Sequence, residues 1–82
     1  MILADIYIPA VDANYDFMLD ENVPALQVME EISEMISKKV KEKKPEKITD
    51  FVLYSMDTGT LLDHSLSLYA NGIRDGSRLI FV

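Results

Sequence analysis

The sequence predicts an α+β domain in which a mixed sheet of four to five strands packs on one long helix. Three observations carry this expectation. Ile2, Ala4, Ile6 and Ile8 alternate with Leu3, Asp5 and Tyr7, the period-2 pattern of a strand with one buried face. Ala25, Val28, Met29, Ile32, Met35, Ile36 and Val40 recur at helical spacing and form one apolar stripe. The run Leu79-Ile80-Phe81-Val82, preceded by the turn dipeptides Asn71-Gly72 and Asp75-Gly76, reads as a final strand.

Each element has a local cause. Pro9 ends the first strand, and Ala10 to Asn14 make a turn. A second strand follows, with Tyr15, Phe17 and Leu19 on one face and Asp16 and Met18 on the other. Asp20-Glu21-Asn22 signals a helix start, with Asn22 or a neighbour as cap and Pro24 in the first turn. The helix is expected over about 24–42, and Pro45 stops it. Glu30, Glu31 and Glu34 lie toward its start and the lysines at its end, which complements the helix dipole. Residues 51–55 read as a third strand whose register stays open. Asp57-Thr58-Gly59 is a turn, and Leu61-Leu62 is a short strand or bridge. Ser67 caps one helical turn through Ala70, and residues 77–82 form the last strand.

Composition bounds the function. Eighty-two residues make a single domain over 1–82, and 49% hydrophobic content suits a folded chain. The absence of cysteine excludes disulfides and thiolate chemistry. No secretory signal is evident, and no stretch approaches the ~18 apolar residues of a membrane span. The expected location is the cytoplasm. A net charge of −6 argues against nucleic acid as a partner. The charge is also unevenly placed: residues 1–37 hold no Lys or Arg, and every lysine lies between Lys38 and Lys47.

No residue pattern supports catalysis, a cofactor or a metal. Asp63, His64 and Ser65 are adjacent in one turn, whereas a triad needs side chains converging from different elements. Asp12, Asp16, Asp20 and Glu21 lack the spacing of a calcium loop and read as a solvated acidic face. The chain therefore reads as a non-enzyme.

The order hairpin, long helix, strand, short strand, helical turn, strand is that of the β-grasp, or ubiquitin-like, fold. Asn22-Val23-Pro24-Ala25-Leu26 and Gly72-Ile73-Arg74-Asp75-Gly76-Ser77-Arg78-Leu79 resemble the YukD/EsaB family of bacterial type VII (ESX/Ess/Yuk) secretion systems. They also resemble the ubiquitin-like domain of the EccD membrane proteins. The resemblance implies a non-catalytic accessory protein that binds components of the secretion apparatus at the cytoplasmic side of the membrane, with any membrane association made through those partners. The second motif itself reads as fold grammar: Gly72 and Gly76 permit tight turns, and Ile73, with Leu62, Leu68, Leu79 and Phe81, plugs the core. A covalent modifier or sulfur carrier would need a Gly-Gly tail, and no Gly follows Gly76. A domain excised from a larger membrane component is a further alternative.

Two surfaces are candidates for binding. If Leu79 and Phe81 face the helix, then Leu3, Tyr7, Met18, Arg78, Ile80 and Val82 share the outward face of the sheet. Such a face is expected to be mostly polar, so these residues mark a partner surface, a homodimer contact or scattered surface apolars. Ubiquitin binds partners with the matching face. The second candidate is the basic cluster Lys38, Lys39, Lys41, Lys43 and Lys44, which either complements the helix dipole or meets an acidic partner or anionic surface.

Overall fold

The computed structural model describes residues 1–40, with side chains through Lys38, and residues 51–82. The strands are β1 (Ile2–Ile8), β2 (Ala13–Leu19), β3 (Leu53–Ser55), β4 (Thr60–Leu61) and β5 (Arg78–Phe81), and the helix is α1 (Ala25–Val40). They form one sheet in the order β2-β1-β5-β3-β4. β1 and β5 run parallel, and every other neighbouring pair is antiparallel. The architecture is the ubiquitin-like β-grasp expected from the order of elements.

Alternation decides which side of the sheet is buried. Ile2, Ala4, Ile6 and Ile8 on β1, Phe17 and Leu19 on β2, Leu53 on β3, and Leu79 and Phe81 on β5 all point inward. They meet Ala25, Val28, Met29 and Ile32 of α1, with Ile36 partly buried beside them. Leu62, Leu68 and Ile73 close the core from the loops. Burying each such side chain contributes roughly 1.5–3 kcal/mol. Met35 departs from the expected stripe and is exposed, because it lies at the margin of the helix face that the sheet covers. The expected stop at Pro45 lies outside the described residues, as does the burial of Val40.

The loops between β4 and β5 act as a clamp on the helix start. The first helical N–H groups lack intrahelical acceptors. Ala25 N–H donates to the Leu66 carbonyl at 2.8 Å, and Leu26 N–H to the His64 carbonyl at 3.1 Å. The cap is therefore supplied by a distant loop rather than by Asn22. Asn22 instead donates its backbone N–H to the Asp20 carboxylate at 2.9 Å, which shapes the chain before the helix.

Asn71 holds this clamp together. Its Nδ2 donates to the carbonyls of Asp63 at 3.0 Å and Ser67 at 2.9 Å, and its Oδ1 accepts the Asp63 N–H at 2.8 Å. Within the turn dipeptide Asn71-Gly72, Asn71 supplies these side-chain bonds and Gly72 takes the positive φ, at 83°. The division repeats at Asp75-Gly76. Gly76 takes φ 84°, while the Asp75 carboxylate accepts the Leu3 N–H at 2.8 Å. Gly76 N–H also donates to the Leu3 carbonyl at 2.7 Å, so the turn extends the β1–β5 ladder by one residue. Ser67 Oγ accepts the Ala70 N–H at 3.0 Å, as a cap should, but the residues that follow form hydrogen-bonded turns and no regular helix.

Replacing Asn71 by Ala removes four polar contacts and leaves the Asp63 N–H and the carbonyls of Asp63, Leu66 and Ser67 without this partner. Urea unfolding of Asn71→Ala is expected to show a loss of about 1–3 kcal/mol with an unchanged denaturant slope. A loss under about 0.5 kcal/mol would remove Asn71 from its place as the staple of the clamp.

Candidate interaction face of the sheet

The side of the sheet away from α1 carries the side chains that alternate with the core. Strand register places Tyr7 beside Ile80, Ile80 beside Tyr54, and Tyr54 beside Leu61. One apolar row therefore crosses β1, β5, β3 and β4. Leu61 is 63% exposed, whereas Ile80 and the two tyrosines are half-buried. Val52 and Val82 extend the row at one end. Each donates its N–H to the other's carbonyl, at 2.6 and 3.1 Å.

Leu3 and Met18 are cross-strand partners on the same face and are both exposed. They do not join the first row. Asp16, Asp5 and Arg78 are neighbours across β2, β1 and β5 and form a polar row between the two apolar groups. The residues expected to share the outward face thus do share it, but as two apolar groups divided by charge.

Arg78 has a partner inside the domain. Its Nε and Nη2 donate to Asp57 Oδ1 at 3.1 and 3.0 Å, and its backbone N–H donates to Oδ2 at 2.8 Å. The backbone N–H of Arg78, and next its guanidinium, hold the Asp57 carboxyl below the usual carboxylate range. The pair ties the turn after β3 to the start of β5. Tyr7 is also tied: its hydroxyl donates to Asp12 Oδ1 at 2.8 Å. That bond, with smaller effects of desolvation and the Asp12 charge, raises the tyrosine pKa. Asp12 itself has φ 48°, a left-handed conformation that ends the single 3-10 turn Pro9–Val11.

Tyr54, Val52 and Leu61 were not readable as members of this face. Residues 51–55 offer apolar side chains at both parities, so their alternation alone does not reveal which are inward. Phe51 decides it, stacking on Phe81 of the core side with ring centroids 5.2 Å apart.

The other candidates separate as follows. Lys38 is exposed at the end of α1. The side chains of Lys39, Lys41, Lys43 and Lys44 lie outside the described residues. Ser65 Oγ donates to Asp63 at 2.7 Å, a bond within one turn. The Ser65 hydroxyl, then its N–H, lowers the Asp63 pKa. Glu21 is lowered chiefly by its bond to the Met1 ammonium, 3.0 Å away. Among the described residues, no group of three or more His, Cys, Asp or Glu side chains could hold a metal ion. No helix among them is long and apolar enough to cross a membrane.

Residues 3–81 match the family described as "WXG100 protein secretion system (Wss), protein YukD". The chain belongs to the YukD family. No curated protein matches it significantly. Solved structures agree on the fold. The EccD5 ubiquitin-like domain from Mycobacterium xenopi is 20% identical, with 99% of this chain and 91% of that one covered and a TM-score of 0.74. A chain of the MycP5-free ESX-5 inner membrane complex is 18% identical at a TM-score of 0.73, with 99% of this chain but only 20% of that longer one covered. Caldiarchaeum subterraneum ubiquitin is 16% identical, with 98% and 89% covered and a TM-score of 0.70. The expected family and fold are thus both found.

The lowered carboxyls set a direction for acid stability. A carboxyl whose folded pKa is depressed stabilises the fold above its unfolded pKa, and this is lost as pH falls through the folded value. The thermal midpoint of the YukD-family chain is expected to fall below about pH 4. Asp57→Asn should flatten that acid limb and lower the midpoint at neutral pH. Identical pH profiles for the two proteins would contradict the assignment of Asp57.

Proposed function

We propose that this YukD-family chain is a non-catalytic, ubiquitin-like interaction domain of a type VII secretion system. It works at the cytoplasmic face of the membrane by binding a protein of the secretion apparatus. The observation that carries the reading is the row Tyr7–Ile80–Tyr54–Leu61. A sheet face left to water alone is expected to be polar, and this one sets apolar side chains in register across four strands. The family match and the likeness to a chain of the ESX-5 inner membrane complex support a partner in that machinery.

The reading assigns no reaction to the domain. Asp63 and Ser65 bond to each other, Arg78 bonds to Asp57, and Tyr7 bonds to Asp12. These bonds shape turns and strand ends. The face offers area and shape to a partner, which is what a binding module needs.

The double variant Tyr54→Ala/Leu61→Ser changes the row without touching the buried core. It should keep the far-ultraviolet spectrum of the wild type and reduce co-purification with the membrane secretion complex from source cells by at least about tenfold. Glu30→Lys/Glu34→Lys, on the exposed side of α1, should reduce it little. Full co-purification of the first variant and loss with the second would place the contact on the helix instead.

A further inference from the structure

Among the described residues, the outward face combines its apolar rows with an unbalanced charge. Asp5 and Asp16 are directly opposed on β1 and β2. Like charges at opposed positions of a sheet repel and destabilise it. The cation nearest in register is Arg78, the β5 neighbour of Asp5, and its guanidinium is turned to Asp57. Asp5 accepts a bond from Asn14 Nδ2 at 3.2 Å, which carries no charge. Neither Asp5 nor Asp16 has an ion-pair partner among the described residues. Asp12 and Asp75 also border the face, where they hold Tyr7 and the Leu3 N–H.

From this we infer that the partner presents a lysine or arginine, flanked by apolar side chains, to the gap between the two apolar groups of the sheet. The inference rests on the docking-face reading above and adds the chemical class of the occupant. A cation placed between Asp5 and Asp16 relieves their repulsion while its neighbours cover Tyr54 and Ile80 on one side and Leu3 and Met18 on the other. Charge complementarity of this kind sets orientation and speeds encounter. The same charge disfavours a second copy of this chain packed face to face, since each face would bring its own acidic pair to the other. The fold and the partner thus make opposite demands on one pair of residues. Removing the charges should stabilise the free domain and weaken the complex.

The test uses the full chain, isotope-labelled, and two synthetic peptides, acetyl-Ile-Lys-Tyr-Lys-Ile-amide and its counterpart with Glu in place of Lys. In the wild type, the lysine peptide is expected to shift the amide signals of Asp5, Tyr7, Asp16, Tyr54 and Ile80. It should bind at least about tenfold more tightly than the Glu peptide, and the preference should shrink from about 50 to about 500 mM salt. Asp5→Asn/Asp16→Asn should melt at a higher temperature and bind both peptides alike. Equal shifts of Tyr54 and Ile80 by both peptides in the wild type would overturn the cation and leave the docking face standing. Shifts confined to Glu30, Glu31 and Glu34 would overturn the docking face as well. A concentration-dependent dimer that buries Ile80 would overturn the choice of occupant.

Discussion

The parallel pairing of β1 with β5 is the contact on which the other parts of this domain depend. It joins residues more than seventy positions apart, so the whole chain between them must close as one loop. The pairing is reinforced at its open end, where Asp5 N–H meets the Ser77 carbonyl at 3.0 Å and Gly76 N–H meets the Leu3 carbonyl. The Asp75 carboxylate then takes the place of one more backbone acceptor. With the two strands held side by side, Ile6 lies against Leu79 on the core side and Tyr7 against Ile80 on the other. A shift of one residue would exchange those faces, so register decides which side chains are buried and which stay on the outward face.

The segment between β4 and β5 does for the helix what that ladder does for the sheet. It has little regular structure of its own, yet its carbonyls cap α1 and its side chains Leu62, Leu68 and Ile73 close the core. Asn71 and the two positive-φ glycines let an irregular path satisfy its polar groups. No buried side-chain nitrogen or oxygen among the described residues lacks a partner, as expected for a loop that carries part of the core. The motif from Gly72 to Leu79 is therefore a device for turning the chain back into the sheet. The fold needs it, and its side chains are mostly occupied by the fold.

Much of this was legible in the residues. The alternation Ile2, Ala4, Ile6, Ile8 and the helical stripe report burial directly, because period 2 and period 3.6 are properties of the backbone. The plugs Ile73 and Leu68 were legible from their place between turn signals. What escaped depended on contacts distant in sequence. The helix cap came from His64 and Leu66, and nothing near Asn22 announces that. The face was divided because Asp5, Asp16 and Arg78 fall into one row, which follows only from the pairing of three strands. Tyr54 entered the face through the stacking of Phe51 on Phe81, a contact that the alternation of 51–55 does not reveal.

The domain uses one side of its sheet to fold, and the proposed reading gives the other side to a partner. The helix carries the core contacts and shows water an acidic surface at Glu30, Glu31 and Glu34. The opposite surface is the one with aligned aromatic and aliphatic side chains. Site-specific photo-cross-linking in source cells tests this division most directly. A photoreactive residue at Tyr54 or Met18 on the sheet, or at Glu31 or Glu34 on the helix, would report which side meets the secretion apparatus. The sheet positions are expected to cross-link to one and the same apparatus component, and the helix positions to none. Cross-links to that component from Glu31 and Glu34 alone would contradict the account.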